Sequence, residues 1–295
     1  MTSETNSTMY YDRHAVQDKL SLNHLNDLLE DSLKRYSSND KTLKQPLRSS
    51  MPIGDGNENI LLNMPCVDLK RGYLALKTLT LYPNCSPSLD GTVSLFNSNN
   101  GQLLLAIILS KLKTEPVLAI LGCGTQGYSH LKVFTQLFKW KKIYLWNRHI
   151  EKAERLKNDY SAELNTIEVL NDLDDERLKE ADVVCTTTAS EEPLLSVQRI
   201  KLGGHINAVG SFRLTMRELD DNLMLNSTII VDSKESAAKE AGDIVQSKAT
   251  ITAEIGEVLK FPTLLDDQKS SYTVFKSLGL AIEDLAAAIV LHESR

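Results

Sequence analysis

The chain has no long hydrophobic run. Its longest apolar stretch is Leu103–Leu109, far short of the roughly 20 residues that a membrane-spanning helix needs. The segment Met1–Tyr11 is polar and carries no apolar signal-peptide core, so a cytoplasmic location is expected. Nor is there an excess of basic residues: 33 Lys and Arg stand against 39 Asp and Glu, for a net charge of −6. With no basic stripe and an acidic balance, neither nucleic acid nor a membrane is an expected partner. Cysteine is scarce. Cys66, Cys85, Cys123 and Cys185 lie at no metal-ligand or redox spacing, so reduced, structural thiols and no metal site are expected. Internal repeats and low-complexity segments are absent. What remains is ordinary for a soluble globular chain: 42% hydrophobic and 24% charged residues over 295 positions. That is enough for one large domain or two of common size.

The first part of the chain reads as mixed α+β. Leu20, Leu22, Leu25, Leu28 and Leu29 recur at helical spacing. Residues 46–65, rich in Pro, Gly and Asn, read as loops with short strands. Strands are predicted over Gly72–Leu81 and Gly91–Phe96. The turn Asn97–Gly101 then leads into Leu103–Leu109 and suggests a hairpin. Near Glu115 the character changes, and strands begin to alternate with helices. Predicted strands are Pro116–Leu121, Lys142–Trp146, Thr166–Leu170, Asp182–Thr187, His205–Val209 and Thr228–Asp232. Predicted helices are Gln126–Phe138, Ile150–Tyr160, a charged one ending at Glu180, Ser233–Ala241, and a last long one from Ser277 to His292. Such alternation implies an α/β fold with a doubly wound parallel sheet of the Rossmann type.

The segment Val117-Leu118-Ala119-Ile120-Leu121-Gly122-Cys123-Gly124-Thr125-Gln126-Gly127 carries the most information. An apolar strand runs into G-x-G-x-x-G and an amphipathic helix follows, the context that makes this motif a dinucleotide site. Gly122 permits the tight turn, Gly124 lets a pyrophosphate approach the backbone, and Gly127 lets helix and strand pack closely. The helix start at Thr125 and Gln126 offers free N–H groups and a positive dipole end to phosphate. The following strand ends at Trp146-Asn147-Arg148, where an NAD site usually places an acid on the ribose 2′-hydroxyl. Here there is an amide and a guanidinium, and a guanidinium suits a 2′-phosphate. NADP(H) is therefore expected over NAD(H). Thr186, Thr187 and Thr188 follow another strand, at the end where open α/β sheets bind ligands. In Ala75-Leu76-Lys77-Thr78-Leu79-Thr80-Leu81, alternation puts Lys77 on the same face as Ala75, Leu79 and Leu81. A lysine on an apolar face is a candidate proton donor, because desolvation lowers its pKa.

These segments resemble the ornithine cyclodeaminase/mu-crystallin family, and its ketimine reductase branch most. The resemblance rests on Leu121–His130, Leu145–Arg148, Thr186–Pro193, Gly204–Gly210, Arg217–Asp221, Val231–Ser233, Gly256–Val258 and Thr273–Asp284. It implies a homodimer in which residues 1–113, completed by 277–295, form a substrate and dimerisation domain. Residues 114–276 would be the NAD(P)-binding domain inserted between them. It implies hydride transfer to the C=N bond of a small imino or amino acid. It also places the catalytic lysine at Lys77, a substrate-carboxylate arginine at Arg48, and a further cofactor contact at Val209.

Two departures from the family pattern accompany this. About twenty residues, which in the family hold a second carboxylate-binding arginine, are missing after Ile107. Thr215 also stands where the family usually has an acid. Three readings follow: an NADPH-dependent ketimine reductase with impaired turnover, a degenerate binder of NADPH and a small acid such as a thyroid-hormone-like ligand, and an ornithine cyclodeaminase. Asn147-Arg148 weighs against the last, which recycles its cofactor and typically uses NAD.

Overall fold

The computed structural model describes residues 19–53, 59–82, 89–96, 116–160, 164–265 and 271–294. The chain divides into two compact units, Met1–Leu103 with Gly279–Arg295, and Leu104–Leu278. In the first unit, α1 (Leu22–Ser37) starts at Ser21, whose side chain accepts from the His24 N–H. It buries Leu25, Leu29 and Leu33, one stripe at a spacing of four. An antiparallel sheet follows: β1 (Leu43–Lys44), β2 (Ser49–Pro52), β3 (Ile60–Asp68), β4 (Tyr73–Leu81) and β5 (Leu89–Phe96). Its order is β1-β3-β4-β5, with β2 also on β3.

Residues 46–65, expected as loops with short strands, in fact contain the start of a long one. β3 pairs with β4 from Ile60↔Leu81 to Asp68↔Tyr73. Pro65 hid it, since proline is unwelcome inside a sheet. The strand tolerates it because β1 covers only residues 67 and 68 and β2 only residues 60 to 63. The missing N–H falls in the gap between them. The expected hairpin over residues 97–109 lies outside the described residues.

The second unit is built on an eight-stranded parallel sheet. Its first half runs β6 (Val117–Leu121), α2 (Thr125–Leu137), β7 (Lys142–Trp146), α3 (Ile150–Tyr160) and β8 (Ile167–Val169). Its second half runs β9 (Val183–Thr186), β10 (His205–Ala208), α4 (Asp221–Leu225), β11 (Ser227–Val231), α5 (Lys234–Glu240), α6 (Gly242–Ser247), β12 (Ala253–Glu254), α7 (Ile255–Lys260) and β13 (Tyr272–Lys276). The strand order is β12-β11-β13-β10-β9-β6-β7-β8. All five residues of β6 are buried, as a strand covered on both faces requires. Val117, Ala119 and Leu121 pack into one core layer, and Leu118 and Ile120 into the other. The charged segment ending at Glu180 is a single 3-10 turn, Glu176–Glu180, capped by Asp175, not a full α-helix. β13 was not foreseen, yet it sits in mid-sheet between β10 and β11.

The last helix, α8 (Ala281–Glu293), returns to the first unit and packs on α1, β3 and β4. It begins four residues later than the sequence suggests. Gly279 adopts φ +83 and breaks the run, and the Leu280 N–H is capped by the Glu283 carboxylate at 3.2 Å. Every residue from Ala281 to Leu291 is buried. Among the described residues no helix is long and apolar enough to cross a membrane.

A buried charge cluster fastens α1 to the sheet. Asp68, 1% exposed, accepts from Arg35 at 2.7 and 2.9 Å and from Arg71 at 2.8 Å. Burial opposes ionisation of Asp68, but the two guanidinium groups outweigh it and hold the carboxyl down to about 2. Arg35 also pairs with Asp40 at 3.0 Å and Arg71 with Asp31 at 2.7 Å, so loss of the Asp68 charge removes charge-assisted hydrogen bonds rather than stranding a cation, at roughly 1.5–3 kcal/mol. Asp68→Asn is accordingly expected to lower unfolding free energy by about that much in urea titrations. A loss below about 1 kcal/mol would show that the cluster is not a structural fastener.

Candidate active site

The turn after β6 is shaped by close backbone approach. Gly122 has φ +111, and its N–H donates to the Trp146 carbonyl at 2.8 Å. A Cβ on Gly122 would lie 2.8 Å from the Thr187 carbonyl oxygen, and one on Gly127 only 1.9 Å from the Gly122 carbonyl oxygen. A Cβ on Gly124 would meet nothing within 4 Å. Two glycines are thus demanded by the protein itself, and the third borders open space. Gly124 is the N-cap of α2 and provides no side-chain cap. Gly124, Thr125 and Gln126 are all exposed. The donors of the first helical turn therefore face a position where an anion would be held by N–H groups and the helix dipole.

The strand order reverses here, with β7 and β8 on one side of β6 and β9 and β10 on the other. Open α/β sheets bind ligands at such a switch point. The carboxyl ends of these strands carry the other residues expected at a cofactor. The Asn147 side chain accepts from the Cys123 N–H and donates to the His149 carbonyl, both at 3.0 Å, so its amide holds the glycine turn. Arg148 is exposed. Thr187 donates its hydroxyl to the Gly122 carbonyl at 2.7 Å, which ties the end of β9 to the same turn. Val209, just past β10, is half-buried and donates its N–H to the Thr186 carbonyl at 2.9 Å.

Thr186 and Thr188 point elsewhere, to a residue that sequence reasoning missed. Both hydroxyls donate to the carboxylate of Glu218, at 2.7 and 2.8 Å. Glu218 is fully buried. Thr215, at the position where the family pattern has an acid, is exposed. A buried acid therefore does stand near this loop, three residues further on. Only its neighbours in space reveal it.

In the first unit, Lys77 ion-pairs with Asp284 of α8 at 3.0 Å, with side chains 19% and 5% exposed. Burial pushes the Asp284 carboxyl up, and Lys77 opposes that rise. Asp284 was also missed, because nothing in the pattern around β4 points to the far end of the chain. Arg48 precedes β2 and is half-buried. Cys66, Cys123 and Cys185 are free thiols. Burial pushes each of them up, Cys66 and Cys123 to about 12, so none is a thiolate at neutral pH. Cys85 lies outside the described residues. Among the described residues no group of His, Cys, Asp or Glu is placed to hold a metal ion.

A parallel sheet with a glycine turn at its switch point defines an α/β protein of the dinucleotide-binding kind. The profile of the ornithine cyclodeaminase/mu-crystallin family matches residues 6–295, and the chain belongs to that family. It is 37% identical to the ketimine reductase mu-crystallin of Mus musculus, over 95% of each chain. That alignment spans 303 positions, more than the chain's 295 residues, so the chain lacks segments that its relative carries. It is 28% identical to the Delta(1)-pyrroline-2-carboxylate reductase of Bacillus cereus, over 95% of each. Among solved structures, the Delta(1)-pyrroline-2-carboxylate reductase of Thermococcus litoralis, in complex with NADH and L-proline, superposes with a TM-score of 0.82. It is 23% identical, and the match covers 96% of this chain and 95% of that one.

The three glycines are expected to separate in stability. Gly127→Ala forces a methyl group against backbone and should cost about 1–3 kcal/mol or more. Gly124→Ala fills open space at an N-cap and should cost less than about 1 kcal/mol. Thermal unfolding of both variants checks this, and equal losses would contradict the turn geometry.

Proposed function

We propose that this chain is an NADPH-dependent reductase of small cyclic imino acids, a ketimine reductase. The observation that carries the reading is the Lys77–Asp284 ion pair, a charged donor on a largely apolar strand face of a protein related to reductases of cyclic imines. Reduction of a C=N bond needs hydride at carbon and a managed proton at nitrogen. The bound dinucleotide supplies the hydride. Lys77 acts at the imine nitrogen, as proton donor or as the charge that stabilises its protonation. Asp284 keeps the ammonium in place. Arg48 binds the substrate carboxylate through its planar fork.

Gly122, Gly124, Thr125, Gln126 and Gly127 hold the pyrophosphate, and Arg148 faces the 2′-phosphate that distinguishes NADPH from NADH. Asn147, Thr186, Thr187, Thr188 and Val209 shape the remainder of the cofactor site. In this reading residues 1–113 and 277–295 are the substrate and dimerisation domain, and 114–276 the cofactor domain. A homodimer is favoured by one sheet face. Leu61, Pro65, Val67, Leu74 and Leu76 alternate with the residues that face α1 and α8, and none of the five is fully buried. A sedimenting species of twice 32.9 kDa is expected, and a monomer at micromolar concentration would refute it.

Cofactor and chemistry are tested together. In fluorescence titrations NADPH should bind more tightly than NADH, and Arg148→Ala should weaken NADPH alone, by roughly 1–3 kcal/mol. Equal affinity of the native protein for both cofactors overturns the preference. With a cyclic ketimine carboxylic acid, NADPH consumption should be slow against the typical enzyme median of ~10 s⁻¹, because Thr215 cannot ionise. Lys77→Ala should lower it by a further ~10²–10⁴-fold. A Lys77→Ala protein that keeps its turnover removes Lys77 from the mechanism. NADPH binding with no turnover at all favours the binding-protein reading.

A further inference from the structure

Glu218 takes no part in the chemistry above, yet it is built into the floor of the cofactor side. Its carboxylate accepts from the Thr186 hydroxyl at 2.7 Å, the Thr188 hydroxyl at 2.8 Å and the Thr188 N–H at 2.5 Å. Gly210 makes room for it, since a Cβ there would fall 2.4 Å from the carboxylate oxygen. Lys276, fully buried on β13, donates to the carbonyls of Ala208, at 3.2 Å, and Gly210. The buried carboxylate therefore fixes the end of β9, and the buried ammonium fixes the end of β10 to β13. Arg148 marks the adenosine side of the switch point, at the end of β7. A dinucleotide whose pyrophosphate lies at Gly124 extends its other half toward β9 and β10.

We propose that Glu218 is a positioning residue for the nicotinamide half of the dinucleotide, holding the Thr186–Thr188 segment in the form that binds it. This rests on the NADPH reading above. The groups around Glu218 are Lys276 on β13, Asp243 on α6 and Arg217 beside it. Asp243 accepts from the Glu218 N–H at 2.8 Å and lies 3.8 Å from the Arg217 Nε. Burial pushes the Glu218 carboxyl up to about 7, with Lys276 opposing the rise and Asp243 adding to it. Charge-assisted bonds to Thr186 and Thr188 exist only in the ionised form. NADPH affinity should therefore strengthen as pH rises through about 7.

The test is NADPH titration of the full chain from mildly acidic to mildly alkaline pH, with thermal melts as a check on folding. Glu218→Gln, which keeps one carbonyl acceptor but loses the charge and sets an NH2 donor where the second carboxylate oxygen accepted, should weaken NADPH about ten- to a hundredfold at alkaline pH. It should also abolish the pH dependence that NADH binding shares, leaving only the part that comes from the 2′-phosphate, which itself ionises near pH ~6. Thr186→Val removes one bond to the ionised form without changing side-chain shape, and keeps the proposal testable if Glu218→Gln does not fold. It should move the midpoint of the affinity profile upward. A native protein that binds no NADPH at any pH overturns the cofactor reading and this inference with it. A native protein that binds NADPH, with affinity and pH midpoint unmoved in the folded variant, overturns this inference alone.

Discussion

The second unit depends on two backbone segments lying closer than any side chain allows. With a Cβ on Gly127 only 1.9 Å from the Gly122 carbonyl oxygen, α2 can settle on β6 only because that methyl group is missing. The consequence runs outward. Because the helix starts so close to the strand end, its first-turn donors open onto the carboxyl edge of the sheet, where the strand order reverses. Because Gly122 is pinned by Trp146 on one side and Thr187 on the other, the ends of β7 and β9 are brought to the same turn. The carboxyl edge is thus one hydrogen-bonded surface rather than four independent loops.

Charge supplies the second layer of order, and in the first unit it is buried in opposed groups. Arg35 and Arg71 against Asp68 fasten α1 to the sheet. Lys77 against Asp284 fastens α8 to β4. A lone ammonium on that strand face would lose much of its hydration with nothing to replace it. The chemistry assigned to β4 accordingly depends on a carboxylate near the far end of the chain, delivered when Gly279 ends the extended run and α8 folds back.

What could be read from the sequence follows the range of the interaction that decides each feature. β6 and β7 were legible because strands buried on both faces are continuous apolar runs, and the glycine turn because its constraint is local. Lys77 was legible as an oddity on an apolar face. β3 was obscured by Pro65, whose acceptability depends on where two neighbouring strands stop. β13 was obscured because Thr273 and Lys276 interrupt its short apolar run, and its place in mid-sheet is a matter of topology. The start of α8 was misjudged because Ser277 resembles a cap, whereas the positive φ of Gly279 sets the boundary. Asp284 and Glu218 were invisible for one reason: each acquires meaning only from a partner on another element.

Glu218 also shows why a chain would keep a group that its fold does not favour. Burial raises this carboxyl from 4.5 to about 7. Its stabilising contribution is therefore complete below about 4.5 and fades as pH rises to about 7, where the carboxyl ionises. At higher pH the folded protein holds a buried anion that an apolar residue of similar size would spare it. The anion is retained among two threonine hydroxyls, a backbone N–H and the field of Lys276, all at the edge of the sheet where ligands bind. A group kept against the fold's preference, with its acceptor capacity directed at the loop after β9, is better accounted for by the shape it imposes on that loop than by stability.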